Sequence, residues 1–113
     1  MKFNIISLLP KFFEQSLSLG VLGRAMSREI ASCEIINPRR FTEDVHQTLD
    51  DRPFGGGEGM VLMPEPLKKC IEHLGERAGR VVYLSPQGKV WNQEMAKEWS
   101  QFSKPITLIC GRY

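Results

Sequence analysis

The chain predicts an α/β fold, a mainly parallel sheet with helices on both faces. Two observations carry this. Short apolar runs of strand length alternate with stretches whose apolar residues recur at helical spacing, in the order β, α, β, α, β. Between them fall helix-opening prolines, Pro10 and Pro66, and helix-ending glycines, Gly20 and Gly75. At 113 residues there is room for one domain and one core.

Residues 3–9 form a nearly continuous apolar run and read as a buried first strand. Pro10 opens a helix with Phe13 and Leu17 four apart on its inner face, and Gly20 breaks it. A second helix runs from residue 21 to about residue 30, with Leu22, Met26 and Ile30 on one stripe. Residues 34–36 make a short strand closed by Asn37-Pro38. Residues 39–59 show no period, and four of the five positions from 55 to 59 are glycine, which excludes a helix or strand interior. A long irregular segment inside a compact domain is functional or disordered. Residues 60–63 return the chain to the core. Pro66 suits the first turn of a helix carrying Leu67, Cys70, Ile71 and Leu74. Residues 80–84 are the next strand. Asn92 caps a last helix whose stripe is Met95, Trp99 and Phe102, with Trp91 just before it, and that stripe reads as core packing. Residues 105–110 are the final strand.

Composition, 42% hydrophobic and 25% charged, is that of an ordinary globular chain. Fifteen Lys+Arg against 13 Asp+Glu leave +2, too little to announce a nucleic-acid binder and no bar to one. Arg24, Arg28, Arg39 and Arg40 form one early basic block, either a solvated face or a basic binding face. Cys33, Cys70 and Cys110 have no disulfide or zinc-ligand spacing and fit reduced thiols in a cytosolic protein; no metal site is expected. The apolar start is interrupted by Asn4 and Ser7, too short for a membrane span and a poor signal peptide.

Two stretches carry chemistry. Ser85-Pro86-Gln87-Gly88 has the residues of a type I turn, and it follows a strand. Such a turn aims backbone groups into the crevice where open α/β sheets bind ligands, although a plain connector has the same composition. The glycine cluster is not a Walker A loop, since Met60-Val61 follows Gly59, nor a dinucleotide fingerprint, which would need glycine at position 60. What remains is a glycine-hinged loop headed by Asp50-Asp51-Arg52, able to close over a substrate or simply solvated. His46, Asp50, Asp51 and Arg52 are the densest polar set and do not by themselves make an enzyme.

Three stretches taken together resemble one family: Asp50-Asp51-Arg52-Pro53-Phe54-Gly55-Gly56-Gly57-Glu58-Gly59-Met60, Tyr83-Leu84-Ser85-Pro86-Gln87-Gly88, and Cys110-Gly111-Arg112-Tyr113. In order and spacing they are similar to the signatures of the bacterial tRNA (guanine-N1)-methyltransferases. The opening stretch, from Phe3 through Pro10 with Phe12-Phe13, is similar too. Phe54 stands where that family usually has Tyr, and Glu58 where Pro is common, which loosens the loop and puts a negative charge near a polyanion.

The resemblance implies an S-adenosylmethionine-dependent, trefoil-knotted methyltransferase, a cytoplasmic homodimer acting on tRNA, with its site shared between subunits. Residues 1–113 then correspond to the N-terminal part of the methyltransferase domain, with the knot incomplete and the C-terminal tRNA-binding domain absent. By the same resemblance Tyr83, Leu84, Ser85, Pro86, Gly88, Gly111 and Tyr113 hold the cofactor. His46, Asp50, Arg52, Gly56, Gly57 and Gly59 approach the tRNA and its target base. The catalytic base is expected beyond residue 113, leaving this chain inactive alone. The competing expectation is a non-catalytic ligand-binding or dimerisation module.

Overall fold

A computed structural model describes residues 1–42, 50–51, 61–62 and 64–111 of the chain. Strands β1 (Lys2–Ile6), β2 (Ser32–Ile36), β5 (Arg80–Tyr83) and β6 (Ile106–Ile109) form one all-parallel sheet in the order β2-β1-β6-β5. The chain steps outward from β1 to β2, crosses to the far edge at β5, and returns to fill the gap with β6. Every carboxyl end therefore lies on one edge of the sheet. Between β2 and β5, β3 (Asp50–Asp51) pairs antiparallel with β4 (Val61–Leu62). A two-residue strand leaves no readable alternation, so β3 gives no strand signal within residues 39–59.

Strand register sorts the side chains onto two faces. Ile6, Ile36 and Ile109 line up on one face and pack against Cys70, Leu74 and Ala78. These last three come from α3 (Pro64–Leu74) and the 3-10 turn Gly75–Ala78 that follows it. On the opposite face Ile5 and Ile106 are buried; there α1 (Pro10–Ser16) and α2 (Gly20–Ser27) share a depression with Cys33 and Ile35 of β2, and α4 (Gln93–Trp99) shares a cleft with Ile106 and Leu108 of β6. The expected α/β architecture, with helices on both faces, is the one found.

Boundaries move for local reasons. The first strand ends at Ile6, not residue 9, because the Ser7 hydroxyl accepts the Leu9 N–H at 3.0 Å and turns the chain into Pro10. α2 stops at Ser27, where Glu29 takes a left-handed φ of 59° and Ile30 N–H bonds back to the Ala25 carbonyl. Ile30 thus leaves the helical stripe and is 62% exposed. β2 starts two residues early because β1 pairs with it from Lys2↔Ser32 onward. α3 opens at Pro64, two residues ahead of Pro66, and Gly75 follows its end as expected. The Asn92 cap is also as expected: its side-chain oxygen accepts the Met95 N–H at 2.9 Å.

Candidate functional site

The site is built where β5 and β6 end side by side. Tyr83 is in register with Ile109, and Leu84 N–H donates to the Ile109 carbonyl at 3.2 Å, so the pairing runs on into both loops. Ser85-Pro86-Gln87-Gly88 closes as a β-turn, with Gly88 N–H donating to the Ser85 carbonyl at 3.2 Å. The Ser85 hydroxyl accepts the Gln87 N–H at 3.2 Å and holds the turn from inside. No hydrogen bond among the described residues reaches the Leu84 or Pro86 carbonyls, which remain available as acceptors.

Across from this turn lies Gly111. A Cβ placed there would sit 3.0 Å from the Tyr83 hydroxyl oxygen, so the hydroxyl packs close on the glycine and would have to give by a few tenths of an ångström to admit a side chain. Sequence reading assigned Tyr83, Leu84, Ser85, Pro86, Gly88 and Gly111 to one site, and the fold brings them to one corner. Tyr83 is 60% and Leu84 51% exposed, so their apolar surface faces outward, open to a ligand. Tyr113, His46, Arg52, Gly56, Gly57 and Gly59 lie outside the described residues. Asp50 is placed only by its backbone, opposite Leu62.

Below the turn, between α4 and the sheet, an apolar cleft of about 460 Å³ opens. Leu84, Ser85 and Gly88 form its rim, and Val82, Leu108, Trp91 and Trp99 are among its walls. Trp91 meets Trp99 edge-on at 4.9 Å between ring centroids and is itself 57% exposed. This aromatic stripe was expected as core, and helical spacing alone cannot tell a cleft wall from a packed one. A wider depression of about 670 Å³ lies among α1, α2 and β2, away from both loops, and shares none of the site residues.

Among the described residues, titratable chemistry near the site is sparse. The three cysteines are free thiols, and burial raises the pKa of Cys110 at the end of β6. Among the described residues no group of three or more His, Cys, Asp or Glu is arranged to hold a metal ion, and no helix is long and apolar enough to cross a membrane.

An open parallel sheet with two loops converging at neighbouring carboxyl ends is the arrangement of a ligand-binding α/β domain. Within that class the chain belongs to the family described as "tRNA (Guanine-1)-methyltransferase TrmD", which matches it over residues 1–113. It is 46% identical over 117 residues to the tRNA (guanine-N(1)-)-methyltransferase of Pasteurella multocida, covering all of this chain and 47% of that one. It is 43% identical over 114 residues to the enzyme of the same name from Thermosynechococcus vestitus, covering 100% of this chain and 48% of the relative. In structure it is similar to the tRNA (m1G37) methyltransferase of Aquifex aeolicus, with a TM-score of 0.87 at 28% identity, over 99% of this chain and 51% of that one. The chain thus spans about half the length of these relatives.

Proposed function

We propose that the protein carrying this chain transfers a methyl group from S-adenosylmethionine to N1 of the guanine at tRNA position 37, just 3′ of the anticodon. The observation that carries this reading is the meeting of the Tyr83–Gly88 loop with Gly111, where the tyrosine hydroxyl approaches so closely that a Cβ would crowd it. Such a corner suits a flat adenine. The Leu84 and Pro86 carbonyls, without a hydrogen bond among the described residues, accept from its amino group, and Leu84 and Pro86 supply apolar walls. The donor, when bound, supplies an electrophilic methyl group on a sulfonium. What the protein must add is position and a path for the N1 proton.

No residue of this chain is assigned as the base. Asp50, beside the glycine-rich segment, is given a substrate-positioning role with His46, Arg52, Gly56, Gly57 and Gly59. Tyr113 completes the cofactor set. Residues 1–113 are read as the N-terminal part of a knotted cofactor-binding domain, in a cytoplasmic homodimer whose tRNA-binding domain lies outside these residues.

Thermal unfolding with and without S-adenosylmethionine tests the cofactor site. At about 100 times the dissociation constant, binding to the native state alone contributes roughly 2.7 kcal/mol. For a domain of this size that raises the midpoint by on the order of 10 °C. Gly111→Ala, which crowds the Tyr83 hydroxyl, is expected to abolish most of the rise while moving the ligand-free midpoint by only about 2 °C. A cooperative transition that the ligand does not shift would overturn the assignment of these two loops.

A further inference from the structure

The basic block 24–40 looks continuous in sequence, but β2 divides it. Arg24 and Arg28 are at the end of α2, on the approach to the amino edge of the sheet. Arg39 and Arg40 follow β2, on the carboxyl edge. Five strand residues separate the two pairs, about 13 Å of rise from Ser32 to Ile36. Only the second pair shares an edge with the Ser85–Gly88 turn and Gly111. With three strand spacings between β2 and β5, that turn is about 14 Å away.

The segment holding Arg39 and Arg40 is a 3-10 turn, Pro38–Phe41, built to stay in place. Asn37 caps it by accepting the Arg39 N–H at 3.0 Å, and the Asn37 carbonyl accepts the Arg40 N–H at 3.1 Å. The Thr42 hydroxyl donates to the Arg39 carbonyl at 2.9 Å. Pro38 is fully buried, and Phe41 packs on the core cluster with its ring 5.4 Å from that of His73. The backbone is therefore anchored while Arg40 is exposed and Arg39 half-buried. Among the described residues neither guanidinium has an ion-pair partner. The Arg40 guanidinium lies 6.0 Å from the centroid of its neighbour Phe41, whereas at the amino edge Arg77 pairs with Glu34 at 2.9 Å and Arg80 lies 4.0 Å over the Phe102 ring.

We propose that Arg39 and Arg40 are phosphate-binding residues that hold the backbone of the RNA substrate against the carboxyl edge of the sheet. The proposal rests on the tRNA reading above and extends it to residues outside the three family stretches. Two guanidinium forks with no ion-pair partner among the described residues, carried on an anchored turn, match the geometry and charge of phosphate oxygens. They meet a polyanion with little backbone ordering left to lose.

The test measures binding of a fluorescent, unmodified tRNA transcript to the chain by anisotropy across a salt series. Each phosphate contact contributes roughly 0.7–0.9 to the slope of log affinity against log salt. R39Q/R40Q is expected to make that slope shallower by about 1.5, so that going from about 50 to about 200 mM salt weakens the variant roughly eightfold less than the wild type. R39K/R40K is expected to keep the slope, and R24Q/R28Q to leave it unchanged. Should R39Q/R40Q lose cooperative unfolding, R40Q alone, at an exposed position, reads about half the effect. A wild-type slope retained by R39Q/R40Q, or lost equally in R24Q/R28Q, overturns the proposal alone. A wild-type chain that does not bind the transcript even in low salt overturns it together with the reading of a tRNA face on these residues.

Discussion

Gly79 shows how much a single residue can carry. Its φ of 57° is left-handed, and a Cβ there would run into the Pro105 carbonyl, which also accepts the Arg80 N–H at 2.9 Å to start the β5–β6 pairing. Gly79→Ala meets both backbone strain and a steric clash. It is expected to cost about 1–3 kcal/mol or more and to lower the melting midpoint by on the order of 10 °C in calorimetry. The thiols give a second prediction at this scale. Burial, with the Glu34 carboxylate adding, pushes Cys33 up from 9.0 to about 11. Burial pushes Cys70 to about 11 as well, with the Arg40 guanidinium partly opposing it. Two pH units leave roughly 100-fold less thiolate, so iodoacetamide should label folded Cys33 about 100-fold more slowly than the unfolded chain. The folded state keeps protons that the unfolded state releases. This stability is full below pH 9.0 and is lost as pH rises through about 11, so Cys33→Ala should flatten the alkaline fall of the melting midpoint.

At the scale of elements, one buried polar network ties the turn Gly75–Ala78 to the sheet. The Thr107 hydroxyl on β6 donates to the Ala78 carbonyl at 2.6 Å and accepts from the Asn4 side-chain amide at 3.0 Å. That amide also donates to the Arg77 carbonyl at 2.9 Å. Thr107→Val keeps the shape but strands the Ala78 carbonyl in a buried setting. The expected loss is about 1–3 kcal/mol, read by urea unfolding with an unchanged m-value. A polar residue inside an apolar strand run carries no sequence signal for this partner, because Ala78 is remote in the chain. Features within one turn of their partners were legible: the Asn92 cap, Pro10 at the start of α1, the Ser85–Gly88 turn, and Gly75 just past α3.

For the molecule as a whole, the sheet is asymmetric. β5 is an outer strand, and no described strand pairs with its far side. Val81 is 42% and Tyr83 60% exposed on one face, while Val82 on the other forms part of the cleft wall. An apolar, unpaired edge invites intermolecular pairing, which natural edges suppress with inward-pointing charge. Val81→Lys is therefore expected to reduce light scattering at high concentration without changing the ligand-induced thermal shift. Undiminished scattering would place the association elsewhere on the molecule.

The sequence by itself determined the fold class, the order of strands and helices, the turn chemistry and, through three signature stretches, the family. Those properties depend on residues a few positions apart, where spacing and local hydrogen bonding act directly. Only the tertiary structure decided that β6 enters between β1 and β5, and that single insertion brings Gly111 against the Tyr83 hydroxyl. It also sent the early arginines to opposite edges and made Trp91 and Trp99 cleft walls instead of filler. Strand order is set by pairing and packing between distant segments, and no local period encodes which strand a run will lie beside.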